Sequence, residues 1–388
     1  MHPAGTPRSY AEHALKRSLG HVAGSLEDLR RGSLYRSLRY GRAAGPHITL
    51  DGHTMINLGS NDYLGVRGQV HGGPRSASSR LVAGNDDSYR TLEGMLAAHI
   101  SAESALVYPT GYMASLGVIP VLGVDGCTIF SDERNHASII DACRLAGGRT
   151  RIFQHNDVDG LDRMLSGAEG DALVVTEGIF SMDGDYSDLR GIVEVASRRG
   201  AAVIVDDAHG DFVAGQEGRG TAYMFGVSGE VYATISSLSK ALGSFGGYVA
   251  ADDPVTDLQV NRSRPFMYTS ALPPVLIHDA ISRMGADLEE RRRLLRHNTR
   301  RISDGLDDMG FGPASGTHII PVIIGGEQDA VEFSRILARN GVYAPAIRYP
   351  TVPRGGARIR VSVTASLDDS DIDTVLTAFE EGRRRVLP

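Results

Sequence analysis

The sequence predicts an α/β protein built on a large, mostly parallel, seven-stranded sheet with helices on both faces, followed by a smaller C-terminal α+β domain. Two observations predict it. Seven short apolar runs alternate with segments whose apolar residues recur at helical spacing, the pattern that builds a parallel sheet. From about residue 276 the alternation gives way to charged helical stretches and a few isolated apolar runs.

In chain order, residues 105–108, 127–131, 151–153, 172–176, 202–206, 232–236 and 247–250 read as strands. Each is too short for a helix and is bounded by polar or glycine residues, as in strands buried on both faces. Between them, 92–100, 139–145 and 189–198 carry helical periodicity; the last follows Ser187-Asp188 as a cap and is closed by Gly200. Beyond 276, a charged helix over 288–300 leads to strand-like runs at 318–324 and 358–363. A final helix from about Asp369 ends in Arg383-Arg384-Arg385, cations suited to a helix C-terminus. The expected division is an N-terminal segment (1–55), a large α/β domain (56–275) and a C-terminal α+β domain (276–388).

Composition narrows the function classes. At 388 residues and 41% apolar the chain buries a large core, and a net charge of −7 lacks the basic footprint of a nucleic-acid binder. No stretch approaches the roughly 20 apolar residues of a membrane span. Residues 1–20 include Glu12, His13, Lys16 and Arg17 without an apolar core, so no secretory signal and a cytoplasmic location are expected. Cys127 and Cys143 lack metal-site spacing, and no metal is expected.

Two residues point to chemistry. Lys240 lies in Ser236-Ser237-Leu238-Ser239-Lys240-Ala241-Leu242-Gly243, just past a β-branched run, where an amine is held near small hydroxyls rather than left in solvent. Asp206 ends the apolar run in Val203-Ile204-Val205-Asp206-Asp207-Ala208-His209-Gly210, at the carboxyl end of a strand, where open α/β sheets bind ligands. A buried aspartate needs a cationic partner or several donors to stay ionised, and a protonated pyridine nitrogen is such a partner. Enzymes of pyridoxal phosphate combine a lysine linked to the cofactor with an acid at its ring nitrogen. One cofactor accounts for both residues. A metal site at Asp206, Asp207 and His209 is the competing reading, but it lacks a ligand motif elsewhere.

Further blocks follow in order: Ser60-Asn61-Asp62-Tyr63-Leu64-Gly65, Ser79-Arg80-Leu81-Val82-Ala83-Gly84-Asn85, Asn135-His136-Ala137-Ser138, Val175-Thr176-Glu177-Gly178-Ile179-Phe180-Ser181-Met182-Asp183-Gly184-Asp185, Thr269-Ser270-Ala271-Leu272-Pro273-Pro274, and Ala346-Ile347-Arg348-Tyr349-Pro350-Thr351-Val352-Pro353 leading to Arg358-Ile359-Arg360. With them the chain, from about Leu29 onward, resembles the α-oxoamine synthases of the fold-type I (aspartate aminotransferase-like) pyridoxal phosphate transferases. Within that family its pattern is most similar to the oxononanoate-forming enzymes of biotin biosynthesis.

The resemblance implies roles residue by residue. Lys240 would hold the cofactor and serve as base, Asp206 would keep its ring nitrogen protonated, His209 and Ser181 would lie at the ring hydroxyl, and His136 would stack on the ring and polarise a thioester carbonyl. A turn into a helix supplies phosphate donors, and Thr110-Gly111-Tyr112 resembles the family's phosphate-binding turn, with Ser237 and Ser239 adding hydroxyls. Ser270 matches a hydroxyl donated by the neighbouring subunit, which implies a homodimer with shared sites. Arg358 and Arg360 fall on one strand face, so periodicity cannot choose which binds a substrate carboxylate; the resemblance selects Arg360. It also places Asn61, Ser79 and Glu177 in the site wall. Arg30, with Arg31 and Arg36, offers cations for the phosphates of coenzyme A.

The implied reaction is decarboxylative condensation of L-alanine with a pimeloyl thioester, carried by coenzyme A or an acyl carrier protein, to 8-amino-7-oxononanoate. The alternatives are glycine C-acetyltransferase chemistry and, in a different class, a non-catalytic partner subunit. Three departures bear on the acyl substrate: Arg75-Ser76-Ala77-Ser78 replaces a glycine-rich run, the segment between Gly65 and Arg75 is short, and Tyr89 stands where relatives carry histidine.

Overall fold

A computed structural model describes residues 21–68, 77–312 and 316–387. The large sheet runs Ser104–Tyr108, Gly247–Ala251, Ala233–Ser237, Ala202–Asp206, Ala172–Glu177, Thr128–Asp132, Arg149–Phe153 from edge to edge. Only Gly247–Ala251 runs against its neighbours; the other five strands beyond it pair in parallel. Side-chain alternation buries both faces. Leu173, Val175 and Ile204 pack in one layer with Ile119 and Ile139, while Val174, Val203 and Val205 pack in the other with Leu161, Leu189 and Ile192.

Parallel register sets the site. Glu177 pairs with Asp206 at the carboxyl ends of adjacent strands, so two acids meet there. Helix Leu189–Arg199 is held as its sequence predicts, with the Asp188 carboxylate accepting from the Gly191 amide and Gly200 ending it in the left-handed region at φ +67°.

Two expected strands are shifted by one residue. Residues 127–131 become Thr128–Asp132, because the Cys127 amide is spent on a turn with Val124 while Asp132 still pairs with Phe153. Residues 232–236 become Ala233–Ser237, because Ser237 still pairs with Gly247. The charged helix extends to Glu289–Asp308, since Ile302, Ser303 and Leu306 continue its buried face past residue 300.

The C-terminal part holds the three-stranded sheet Ile319–Gly325, Ala357–Ser362, Ala346–Ile347 and the helices Glu327–Arg339 and Asp369–Val386. A four-stranded sheet joins Gly41–Ala44, His47–Leu50 and His53–Asn57 to Val342–Tyr343. The N-terminal strands therefore pair with the C-terminal part, and His53–Asn57 runs across residue 55. No helix among the described residues is long and apolar enough to cross a membrane.

Candidate active site

The carboxyl ends of the central strands enclose a cavity of about 180 Å³ lined by Lys240, Asp206, Glu177, His136, the turn Thr110-Gly111-Tyr112, and Ser237 and Ser239. Lys240 follows strand Ala233–Ser237 on a tight turn in which the Gly243 amide bonds the Lys240 carbonyl at 2.9 Å; Gly243 takes φ +68°, where a side chain would also crowd Asp62 and Arg283. The amine lies 2.8 Å from His209 Nε2. Burial, with Arg360 acting in the same direction, depresses its pKa to about 8 against the pull of Asp206 and Glu177. A sizeable fraction of the amine is thus neutral and nucleophilic near neutral pH.

Asp206 is buried, and among the described residues its carboxylate bonds only the Ala208 amide at 3.1 Å and, loosely, the Ser115 hydroxyl at 3.5 Å. Beside it, burial and the Asp206 charge push Glu177 well above the usual carboxylate range. Glu177 is thus biased toward its protonated form, in which it can donate a hydrogen bond.

The opposite end of the cavity is a helix N-terminus. Thr110 caps helix Gly111–Leu122, its hydroxyl accepting from the Met113 amide at 3.1 Å. Gly111 and Gly247 let the backbones close in: a Cβ on Gly247 would lie 2.3 Å from the Gly111 nitrogen, and one on Gly111 3.2 Å from the Ser237 Cβ. Ser237 and Ser239 bring their hydroxyls within 2.9 Å of each other. Free amides, hydroxyls and the positive end of a helix dipole make an anion cradle. His136 caps helix Ala137–Leu145, its Nδ1 accepting from the Ser138 amide at 3.2 Å, and burial lowers its pKa, so the imidazole is neutral.

A second cluster adjoins Lys240. His209 Nδ1 lies 2.7 Å from the Tyr63 hydroxyl. Arg360 donates to the Ser181 carbonyl (2.5 Å), Asn61 Oδ1 (2.9 Å), Ser362 Oγ (3.0 Å) and the Tyr63 hydroxyl (3.2 Å). All these acceptors are neutral. Arg358, on the same strand face, is instead ion-paired with Asp183 at 2.8 Å. Of the two arginines that periodicity left open, Arg360 is the one whose charge is unspent on a carboxylate.

Three expected residues lie elsewhere in the single chain. Ser270 and Ser79 line a separate open cavity with Leu81, Val82 and Tyr268. Arg30 is exposed on helix His21–Arg31, its guanidinium 4.6 Å from the Tyr35 ring centre. Arg36 donates to the Tyr349 carbonyl at 3.1 Å. Of the replaced glycine run, Arg75 and Ser76 lie outside the described residues. Tyr89 is buried: its hydroxyl accepts from the Leu272 amide at 2.7 Å, and Arg80 stacks 3.9 Å from its ring centre.

Sequence reasoning singled out neither Tyr63 nor His318, although Tyr63 sits inside the block at residues 60–65. His318 packs edge-on against Tyr63 at 4.0 Å. It also passed over His155, which spans Asp132 (3.1 Å) and Asp185 (2.7 Å) and so ties the loop bearing Ser181 to the sheet. Burial opposes charge on His155, but the two carboxylates outweigh it and raise its pKa to about 9. A raised folded-state pKa stabilises fully below the unfolded value near 6.5, and that gain is lost as pH rises through about 9. The melting-temperature gap between the native protein and His155→Gln should therefore narrow between pH 6 and pH 10; a constant gap would contradict the charged bridge.

This donor set fits pyridoxal phosphate: an amine of depressed pKa for the aldehyde, an unspent carboxylate for the ring nitrogen, and an anion cradle for the phosphate. Comparison with known proteins agrees. Residues 53–379 match the family described as aminotransferase class I and II. The 8-amino-7-oxononanoate synthase of Geobacter sulfurreducens is 39% identical over 380 residues, covering 92% of this chain and 96% of that protein. Among solved structures, serine palmitoyltransferase of Sphingomonas wittichii is similar with a TM-score of 0.88 at 30% identity, covering 94% of this chain and 96% of that one. A high-resolution structure of SPT with PLP is similar with a TM-score of 0.87 at 28% identity, covering 95% and 98%. The chain belongs to the aminotransferase class I and II family, within its α-oxoamine synthase branch.

Proposed function

We propose that this enzyme condenses L-alanine with a pimeloyl thioester, with loss of carbon dioxide, to give 8-amino-7-oxononanoate. The observation that carries the reading is the Lys240 amine, its pKa depressed to about 8, in a cavity that also presents Asp206, with the unspent Arg360 guanidinium next to it. The name and 39% identity of the Geobacter relative favour the oxononanoate product over other members of the branch. Pyridoxal phosphate, when bound, supplies an aldehyde for the amino group and a protonated ring that draws electrons from the α carbon.

The chain's own residues do the rest. Lys240, Asp206, the cradle of Gly111, Tyr112 and Ser237, and Ser181 with His209 at the ring hydroxyl hold the cofactor. The Lys240 amine, in its neutral form, would take the α proton, for which a pKa near 8 suits it. Arg360 grips the amino acid carboxylate through a planar fork that lysine cannot copy, with Asn61 steadying it. His136 would cover the ring and polarise the thioester carbonyl, and Glu177, its carboxyl pushed toward the protonated form by burial, would line the wall.

Ser270 and Ser79, placed on an open surface with exposed Leu81, Val82 and Tyr268, suit completion of a neighbouring subunit's site in a homodimer. Arg30 suits a thioester carrier's phosphates. Residues 56–275 would act as the cofactor domain and 276–388 as the smaller one, in a cytoplasmic enzyme.

The test pairs substrates. Holoenzyme that sediments as a dimer should release thiol with L-alanine and pimeloyl-CoA. Thiol release only with glycine and acetyl-CoA would replace this reading with glycine C-acetyltransferase chemistry; none with any pair would favour the partner-subunit view.

A further inference from the structure

We propose that a second cavity, separate from the cofactor site, binds a small aliphatic carboxylate, with its head group on Thr299, Ser303 and His318 and its chain on Val213, Met224 and Leu295. The cavity measures about 440 Å³ and lies between residues 213–224 of the large α/β part and the helix Glu289–Asp308. Among the described residues it shares no lining side chain with the cavity around Lys240. Small-molecule sites span roughly 300–1,000 Å³, whereas one water takes about 30 Å³, so the space is that of a ligand rather than of a bridging water. His318 connects it to the described site, since its ring packs on Tyr63, which bonds Arg360 and His209.

A set of orphaned polar atoms marks the cavity as a site. The hydroxyls of Thr299 and Ser303 and Nε2 of His318 have no hydrogen-bond partner. Thr299 and Ser303 stand one turn apart on the same helix face, and Ser303 and His318 are only 6% and 4% exposed. Buried polar atoms in folded proteins nearly always find a partner, so three on residues lining one cavity call for an occupant with a polar head. Val213, Met224 and Leu295 line the same space, so the rest of that occupant is apolar. Charge sets the sign of the head. Arg296, Arg300 and Asp304 stand exposed at the mouth, and Arg296 is already paired with Glu289 at 3.0 Å, which leaves the mouth close to neutral. At the buried end, desolvation together with the charges of Arg360 and Lys240 pushes the His318 imidazole down to about 3, so a neutral ring sits there in a positive field. Two hydroxyls and a neutral imidazole in such a field suit a carboxylate and repel an amine.

Calorimetric titration of the holoenzyme with hexanoate, in the presence of saturating L-alanine, tests the site. We expect one saturable site per chain. Affinity should fall about tenfold in Ser303→Ala, which removes a hydroxyl that a charged head would use, and binding should be lost in Met224→Trp, which fills the apolar part. Retention of the holoenzyme band near ~420 nm shows that each variant is folded. Hexylamine and 1-hexanol, of the same chain length, should bind at least about tenfold more weakly than hexanoate. Absence of saturable hexanoate binding, affinity unchanged in both variants, or hexanol or hexylamine binding as tightly as the acid would each overturn the proposal. Should either variant not fold, methyl-labelled methionine in the native protein gives the same answer: contacts from hexanoate protons to the Met224 methyl are expected, and contacts only to other methionines overturn the site. None of these readouts needs turnover, so they stand apart from any failure of the proposed reaction.

Discussion

Lys240→Ala is expected to lower turnover by about 10⁴-fold, the upper range for loss of a positioned acid or base, and to abolish covalent retention of the cofactor. The size follows from two duties resting on one nitrogen. The amine must be neutral to attack an aldehyde, and neutral again to take a proton, and its pKa near 8 in a cavity with two acids permits both. Nothing else nearby can substitute: His209 and His136 are both pushed toward neutrality below the usual imidazole range, and Arg360 is permanently charged. Lys240→Arg sharpens the test, because it restores the positive charge without an amine that deprotonates. It should be as inactive as alanine if proton transfer is the duty, and largely active if charge alone matters. Borohydride reduction followed by mass mapping should find the cofactor adduct on residue 240 of the native protein and on neither variant. Turnover within tenfold of native in Lys240→Ala would remove the basis of the mechanism.

What the sequence made legible follows from the physics of short range. Strands such as Ala202–Asp206 declare themselves because a run buried on both faces has no room for polar residues until it ends, and the first polar residue then marks the ligand edge. Lys240 and Asp206 were readable for that reason. The strands Gly41–Ala44 and Val342–Tyr343 were not, because the first is exposed along its whole length and the second is two residues long; backbone ladders hold them, and these leave no periodic trace. The Tyr63–His209 bond joins residues 146 apart, and Arg360 reaches Asn61 across 299, so no local pattern encodes either contact. The collinear blocks named most of the parts but gave no account of which atom donates to which. Ser79 and Ser270 show a further limit: motif order places them in an active site, while one folded chain leaves them on an outer surface.

Asp206→Asn is the second large expected effect, and it tests whether the carboxylate's charge is used. Within the chain Asp206 spends itself on one amide at 3.1 Å and a hydroxyl at 3.5 Å, a thin donor set for a buried acid next to Glu177. Such a carboxylate is favoured by a cation in the same cavity, Lys240 in the free chain and, once the cofactor is bound, a protonated ring nitrogen. Asparagine keeps the shape and can still accept from the Ala208 amide, so the fold should tolerate it. Removing one partner of a buried ion pair costs about 3–5 kcal/mol. At about 1.4 kcal/mol per decade, kcat should fall by roughly 10²- to 10⁴-fold, with weaker cofactor retention. Asp206→Glu, which retains the charge at a displaced position, should lose less. If Asp206→Asn kept kcat within tenfold, the ring nitrogen would have to be unprotonated in this enzyme, and Glu177, whose carboxyl burial pushes toward the protonated form, would become the group to examine as its hydrogen-bond donor.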